Sequence, residues 1–288
     1  MACPICKKKK KIFSIKVKDF EYNIYRHAVY IQCKSCKSIY RKHPKKIEKS
    51  IYTKTKYLPL KGNIIYNFLK NIYAEHEKNK ISKSLSYNFF RKQRVILDIA
   101  CGKGFLIEKF SKNRNLLCYG TDMHIQTMKK ENVNFIKSSF DNIKLIKKIK
   151  PDLIIINNFI EHMENPRNIN KIIFQMKRNS YLFIITPDAN SCARKKFSVC
   201  WSGYHSPRHK TIFNQKSIKK IITKYKNVNL EQSKIYDPFS NFISISNFMK
   251  QVSLKSIIFD IFKIPFFLFF IFTDFSNKNR ILLKVRRN

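Results

Sequence analysis

Several patterns are missing from this 288-residue sequence, and each absence argues against a class of protein. No G-x-G-x-x-G pattern is present, which argues against the common dinucleotide-binding fingerprint. No apolar run approaches the roughly 20 residues that a bilayer-crossing helix needs. The chain also opens without a signal-peptide pattern, because cysteines and lysines occupy its first residues. We therefore expect a cytoplasmic protein whose eight cysteines are reduced.

Acidic residues are scarce, so the balance of charge is extreme. The chain has 59 lysines and arginines against 18 aspartates and glutamates, which gives a formal net charge of +41. Such a charge favours nucleic acid or an anionic membrane as a partner. The alternative is compositional drift, because lysine, asparagine, isoleucine, phenylalanine and tyrosine are enriched together, as in AT-rich genomes. The lysines are spread along the chain and arginine, the better phosphate reader, is scarce, which favours the compositional interpretation.

Two C-x-x-C pairs are present near the start of the chain, Cys3 with Cys6 and Cys33 with Cys36. Their spacing, with a partly alternating insert between them, is typical of a zinc ribbon. Four thiolates close a tetrahedron around Zn²⁺ at about 2.3 Å per bond, and such a closed site is usually structural. Redox-active pairs are the alternative, although no thioredoxin-like βαβ pattern surrounds either pair. We predict a zinc-ribbon domain over 1–45.

The most informative stretch runs from Val95 to Phe105, with the sequence VILDIACGKGF. An apolar run ends in Asp98, small residues and two glycines follow, and a helical apolar pattern continues to Phe110. This order predicts a buried strand, a tight turn and a helix. Glycines in such a turn allow a ligand to approach the backbone closely. The alternative is an ordinary strand-to-helix turn in which the glycines serve packing.

Four further apolar runs alternate with helical patterns at similar spacing. Strands alternating in this way predict right-handed βαβ units and a parallel sheet with helices on both faces. The fold class is therefore α/β, a doubly wound, Rossmann-like, mostly parallel sheet with a small N-terminal zinc ribbon. The four predicted strands lie near Leu116–Asp122, Val133–Ile136, Asp152–Asn157 and Tyr181–Ile185, and a last strand, edge or antiparallel, near Ile281–Val285.

The stretch around Asp98 resembles motif I of the class I S-adenosylmethionine-dependent methyltransferases, with Ala100 where that family prefers glycine. The resemblance implies S-adenosylmethionine as cofactor, and Asp122, 18 residues beyond Gly104, as the acceptor for both ribose hydroxyls. Met123 is expected against the adenine. Ser139 stands where the family often has aspartate. The implied cofactor-binding residues are Asp98, Ala100, Cys101, Gly102, Gly104, Asp122, Met123, Ser139 and Asn157.

Two polar segments supply the candidate catalytic residues. Glu161 and His162 follow the fourth strand, as in the related ubiquinone-pathway O-methyltransferases, where another glutamate completes a divalent-metal site. Here Asn158 occupies that place, so Mg²⁺ binding is not expected. His162 is a candidate general base, or the pair caps and orients a helix. His205 and His209 lie in the loop WSGYHSPRH, which offers a base or forms a buried knot that fixes the loop.

The rest of the chain is divided by its composition. We predict a linker and N-terminal helix over 46–90, the cofactor-binding domain over 91–253, and an apolar segment with a final strand over 254–288. The apolar positions of a helix near Ile64–Glu77 indicate a lid over the cofactor or packing on the sheet edge. The interrupted apolar segment 254–275 fits peripheral membrane contact, a dimer contact or a flap over the substrate.

We therefore predict an S-adenosylmethionine-dependent methyltransferase with structural zinc and a small-molecule acceptor, modified at oxygen, nitrogen or carbon. The aromatic loop and the apolar tail favour a hydrophobic or a lipid- or glycan-linked acceptor. An RNA or protein methyltransferase is the first alternative, although the Asn/Asp-Pro-Pro-aromatic motif of amino-group nucleic-acid methylases is absent. A non-catalytic, zinc-binding interaction protein is the second.

Overall fold

The computed structural model describes residues 2–21, 27–42, 64–222, 227–251, 265 and 278–288. The tyrosine-rich part of the predicted linker and, apart from Pro265, the apolar segment 254–275 lie outside these residues. The predictions of membrane contact, a dimer contact or a flap at 254–275 therefore stay predictions. Among the described residues, no helix combines the length and apolar character needed to span a membrane.

The N-terminal part forms a small antiparallel sheet. Its strands are β1 (Lys11–Val17), β2 (Ala28–Cys33) and β3 (Ile39–Arg41). A fourth strand comes from far along the chain, because the two residues of β10 (Thr211–Ile212) pair with β3. The predicted ribbon and the following domain therefore share one sheet.

A second, larger sheet organises the remainder. In chain order its strands are β4 (Arg94–Ile99), β5 (Leu116–Asp122), β6 (Met128–Lys130), β7 (Val133–Lys137), β8 (Leu153–Asn157), β9 (Ser180–Pro187), β11 (Val228–Ile235) and β12 (Arg280–Arg287). Across the sheet the order is β11-β12-β9-β8-β4-β5-β7-β6. The strands β7, β5, β4, β8 and β9 pair in parallel, while β12 runs antiparallel to both neighbours.

Helices cover both faces of this sheet. They are α1 (Ile64–Lys83), α2 (Phe105–Ser111), α3 (Ile143–Ile149), α4 (Ile169–Gln175), α5 (Cys192–Phe197), α6 (Gln215–Ile221) and α7 (Pro238–Gln251). One core joins side chains of α1 and α2 to one sheet face, and another joins α3, α4 and α6 to the opposite face. The central strand β8 is buried on both sides, as a continuous apolar run requires. The doubly wound, mostly parallel sheet is confirmed.

Two elements differ from the sequence expectations. The strand β12 is antiparallel, one of the two alternatives, but it lies inside the sheet between β9 and β11 rather than at an edge. In α1 the apolar positions Ile64, Phe68, Leu69 and Ile72 are exposed by 87, 63, 47 and 44%. The second half of α1 is the buried half, where Ala74, Glu77 and Ile81 pack against the core.

Candidate functional site

A cavity of about 1090 Å³ opens beyond the carboxyl ends of the parallel strands. Ligands of doubly wound sheets bind at this edge, and drug-sized ligands occupy about 300–1,000 Å³. The cavity therefore has room for two molecules side by side. One end is lined by the turn after β4 and the end of β5, and the other by the loop that follows α5. Lining residues include Ala100, Gly102, Asp122, Asp141, Asn158, His162, Trp201, His205, His209 and Arg280.

The turn after β4 uses its two glycines differently. Gly102 has a φ of +55°, and an added Cβ would meet nothing within 4 Å, so its face is open to the cavity. Gly104 has a φ of +84°, and an added Cβ would lie 2.4 Å from the ring of Phe135. Gly104 therefore serves packing, whereas Gly102 leaves the backbone bare where a ligand can approach.

The carboxylate of Asp122 lies at the end of β5 beside this turn. It accepts hydrogen bonds from the backbone N–H of Gly102 at 3.0 Å and of His124 at 2.8 Å. Asp98, at the end of β4, is buried, and burial together with the Asp122 charge raises its pKa to about 8. The two acidic residues are therefore close enough to interact electrostatically, with Asp122 facing the cavity.

A buried arginine, Arg280 at the start of β12, also lines the cavity. Its guanidinium donates to Glu77 Oε2 at 2.9 Å, Asp237 Oδ2 at 3.5 Å, Asn157 Oδ1 at 2.8 Å, Asn158 Oδ1 at 2.6 Å and the Tyr73 hydroxyl. Burial raises the pKa of Glu77, but the charges of Arg280 and Lys80 outweigh it and hold the pKa below its usual value. The cluster joins α1, β8, α7 and β12 at the ligand edge.

At the other end, a glutamate and three histidines converge. Glu161 is fully buried, and its Oε2 accepts the Thr186 hydroxyl at 2.9 Å while its Oε1 lies 3.7 Å from His209 Nε2. The ring of His162 lies 4.6 Å from that of His209 and 5.9 Å from that of His205. Burial is the largest cause that lowers the pKa of each of the three histidines. Burial also raises the pKa of Glu161 to about 7.

The loop that carries His205 and His209 is held between the two sheets. Gly203 is required because an added Cβ would lie 2.1 Å from the ring of Trp201. Tyr204 packs on Tyr30 of β2, whose hydroxyl donates to the Tyr204 carbonyl at 3.1 Å. Ser206 donates to the carbonyl of Val17 at 3.0 Å. The small sheet therefore forms the platform on which the histidine loop rests.

The four cysteines of the two C-x-x-C pairs converge as well. Their sulfur atoms all lie within 4.8 Å of one another, and the Cys3–Cys36 and Cys6–Cys33 pairs are each 3.5 Å apart. A tetrahedral Zn²⁺ site with bonds of about 2.3 Å places sulfurs about 3.8 Å apart. The geometry of these thiols therefore fits a Cys₄ zinc site.

The chain matches a known protein family over much of the part that forms this fold and cavity. A family model described as "Methyltransferase domain" matches residues 73–231, more than half of the chain. The chain belongs to this methyltransferase family. It is a class I S-adenosylmethionine-dependent methyltransferase, as the resemblance at motif I implied, and the matched range includes the turn after β4, Asp122 and the Glu161 cluster.

Solved methyltransferases resemble the chain at low identity. The plantazolicin methyltransferase BpumL, solved with a monoazolic desmethylPZN analog and SAH, is 16% identical, with 81% of this chain and 86% of that chain covered and a TM-score of 0.48. A SAM-dependent methyltransferase from Archaeoglobus fulgidus is 18% identical, with 78% and 100% covered and a TM-score of 0.47. A search of curated proteins finds no match.

Several residues singled out in the sequence of this methyltransferase meet at the cavity. The lining includes Ala100, Gly102, Asp122, Met123, His162, His205 and His209. Glu161 Oε1 lies 3.7 Å from His209 Nε2, and Asp98 is buried within electrostatic reach of Asp122. Cys101 faces Gly120, where an added Cβ would lie 2.9 Å from its sulfur. Asn157 contacts Arg280, and Ser139 is exposed beside the lining residue Ser138.

Sequence reasoning missed other residues of the methyltransferase cavity. Asp141, two positions beyond Ser139, contributes a carboxylate to the cavity lining. Arg280 and Tyr73 come from the last strand and the first described helix, and Asp237 directly precedes α7. No local pattern distinguishes them, although an aspartate so close to the position where the family often has one was a usable signal for Asp141.

Proposed function

We propose that this methyltransferase transfers the methyl group of S-adenosylmethionine to a small molecule held in the histidine-lined half of the cavity. One observation carries the proposal: a single cavity is lined both by the Gly102 turn with Asp122 and by His162, His205 and His209. The cofactor supplies an electrophilic methyl group on a sulfonium. Methyl transfer requires an acceptor aligned with that group, and alignment in one cavity supplies much of the rate enhancement.

The residues at the cofactor end have separate roles in this proposal. The bare backbone at Gly102 lets the nucleoside approach, and the oxygens of Asp122 accept the ribose hydroxyls in addition to their backbone N–H donors. In this proposal Met123 and Phe140 offer apolar surface to the adenine, and the Asp141 carboxylate accepts a hydrogen bond from its amino group. Asp98 is buried, so it supports the turn rather than contacting the cofactor.

The residues at the acceptor end handle the proton. Because burial lowers the pKa of His162 and His209, both rings are neutral near pH 7 and have lone pairs to accept a proton from an acceptor hydroxyl or amine. Trp201, Tyr204 and Phe239 provide aromatic surface around them. This lining supports an acceptor with an aromatic or other apolar body.

We also propose that the four N-terminal cysteines hold one structural zinc ion. The support is the convergence of four sulfurs in two C-x-x-C turns. The knuckles are tied to the larger domain, because Arg167 donates to the Ile5 carbonyl at 3.1 Å and Asn214 to the Cys36 carbonyl at 2.8 Å. Elemental analysis should find at least one zinc per chain, and Cys33→Ser should lose one equivalent.

The function is tested by methyl transfer from labelled S-adenosylmethionine into separated small-metabolite, lipid and RNA fractions. We expect label in the small-metabolite or lipid fraction, and an Asp122→Ala variant that loses both cofactor binding in calorimetry and transfer. Label confined to RNA, with steeply salt-dependent binding, would replace the proposal by the nucleic-acid alternative. Absence of cofactor binding by the wild-type chain would refute catalysis altogether.

A further inference from the structure

At the histidine-lined end of the cavity, Glu161, His162 and His209 bring three potential metal-ligand atoms close together. Within the part of the chain that the structure describes, Glu161 Oε1 and His162 Nδ1 have no hydrogen-bond partner. His209 Nε2 lies 3.7 Å from Glu161 Oε1. One ligand atom from each of the three residues lies within 4.8 Å of the other two. Leaving buried polar atoms unpaired costs stability, so this convergence needs an explanation.

The remaining polar atoms of these three side chains are already engaged, and in the pattern that metal ligands show. His209 Nδ1 lies 2.8 Å from the Gly203 carbonyl, which fixes the proton on Nδ1 and leaves a lone pair on Nε2. The ring of His162 bonds to the Arg208 backbone, and Glu161 Oε2 accepts from Thr186 at 2.9 Å. Metal-binding histidines and carboxylates are usually held by such outer contacts, which set the tautomer and the orientation.

Arg280 is a cation whose charge acts on Glu161, but its guanidinium is paired with Glu77 and Asp237. Arg208 donates to Glu21 Oε2 at 2.6 Å, and Lys210 pairs with Glu164. Among the described residues, Glu161 Oε1 faces His209, whose Nε2 lies 3.7 Å away. A divalent ion between Glu161 and His209 would place positive charge directly against the buried carboxylate.

The chemistry of the donor set selects the kind of ion. Two imidazole nitrogens and one carboxylate oxygen suit Zn²⁺, Fe²⁺ or Co²⁺, whereas Mg²⁺ prefers oxygen ligands alone. The sequence could not indicate this set. Beside Glu161 and His162 it shows Asn158 in place of a third carboxylate, and Asn158 is engaged by Arg280 and Tyr73. The third donor instead comes from His209, 47 positions further along.

We propose that Glu161, His162 and His209 bind one divalent transition-metal ion whose free coordination positions face the acceptor. His162 and His209 line the cavity, so the open side of the ion is directed into it. Its catalytic role depends on the function proposed above. With the ion bound, His162 and His209 are its ligands and no longer serve as bases, so an acceptor hydroxyl coordinates the ion and releases its proton to water. Its oxygen then attacks the methyl carbon, the O–C bond forms, and the C–S bond breaks with its electron pair left on sulfur.

Cobalt titration of the untagged, full-length protein with its cysteine site loaded with zinc tests the metal site. We expect one further equivalent of Co²⁺, seen by calorimetry and by visible bands without the thiolate-to-cobalt charge-transfer band of a cysteine site. His209→Ala and Glu161→Gln should abolish this equivalent. Thr186→Val, which removes only an outer contact, should weaken binding roughly 10–100-fold. His124→Ala, at the cofactor end of the same cavity, should bind as the wild type does.

The outcomes separate the metal site from the proposed function. Circular dichroism and S-adenosylmethionine affinity establish that each variant is folded. No further equivalent in the wild type, or an equivalent retained in folded His209→Ala, would overturn the metal site, while methyl transfer to a small molecule by the metal-free protein would leave the function standing. Stoichiometric binding lost in the ligand variants would establish the site even if no small molecule is methylated.

Discussion

At the scale of single residues, the turn after β4 contains an alanine in a conformation that favours glycine. Ala100 has a φ of +58°, and a non-glycine residue in the left-handed region costs roughly 1–2 kcal/mol. Part of the gain from glycine is offset because glycine is more flexible in the unfolded chain. We expect Ala100→Gly to raise the free energy of unfolding by about 0.5–1 kcal/mol in urea titrations.

The matched control for this prediction is Ala74→Gly, in the right-handed backbone of α1. There glycine should lower the free energy of unfolding by about 1 kcal/mol. If Ala100→Gly destabilises the protein as Ala74→Gly does, the left-handed alanine carries no cost.

The protonation of Asp98 gives a second prediction at this scale. Its pKa is raised to about 8 by burial and by Asp122, whereas an unfolded aspartate titrates near 3.9. Folding therefore binds a proton between these values. The stabilisation that this proton brings is complete below about pH 4 and is lost as the pH rises through about 8. Asp98→Asn cannot lose a proton and should lack this dependence.

The measurement is the free energy of unfolding of the cofactor-free wild type minus that of Asp98→Asn, from pH 5 to 8. This difference should fall as the pH rises, by up to about 1.4 kcal/mol per pH unit. A difference that stays flat over this range would mean that Asp98 is already ionised in the folded protein. Subtraction removes titrations that the two proteins share.

At the scale of elements, the strand β12 contributes one buried positive charge, Arg280, to the ligand edge. Arg280, at its first position, lies between Glu77 and Asp237 at 2.9 and 3.5 Å, and all three are buried. Removing one member of a buried ion cluster leaves uncompensated charge and typically costs about 3–5 kcal/mol. We expect Arg280→Gln to destabilise the fold by about 3 kcal/mol and to weaken cofactor binding, since Asn157 and Asn158 lose their anchor.

The same strand provides the comparison. Lys284 pairs with the exposed Glu231 at 3.2 Å, and an exposed pair contributes about 0–1 kcal/mol. Lys284→Gln should therefore change the free energy of unfolding by less than about 1 kcal/mol and leave calorimetric cofactor affinity unchanged. Equal effects of the two variants would contradict the role given to Arg280.

At this scale, the sequence predicts an element well when the interactions that form it lie within a few residues of one another. The strand ending at Asp98 and its turn were predictable, because a buried apolar run and glycines act within a few residues. The exposed apolar face of Phe68 and Ile72 was not, because periodicity identifies an apolar face without indicating what covers it. The positions of Arg280 and His209 depend on pairings between residues far apart in the chain, which no local pattern encodes.

At the scale of the whole molecule, hydrogen bonds join the small N-terminal sheet to the methyltransferase domain. Arg41 donates to the Pro207 carbonyl, and the backbone N–H of Arg41 donates to the Lys210 carbonyl at 3.0 Å. These contacts hold both ends of the segment that carries His209, while the turn with Gly102 and Asp122 makes none of them. Loss of the proposed zinc should therefore impair acceptor binding more than cofactor binding.

Cys33→Ser tests this separation, because it removes a proposed zinc ligand in the N-terminal sheet and leaves the turn with Gly102 and Asp122 unaltered. We expect S-adenosylmethionine affinity to change less than about threefold, that is, by under about 0.7 kcal/mol. Methyl transfer should fall at least tenfold, mainly through a higher KM for the acceptor, because the platform under the histidine loop is lost. The control is Cys192→Ser, an exposed cysteine outside the cluster, which should match the wild type in both measurements. Equal losses of cofactor affinity and acceptor KM in Cys33→Ser would indicate that the zinc supports the whole fold rather than the acceptor end.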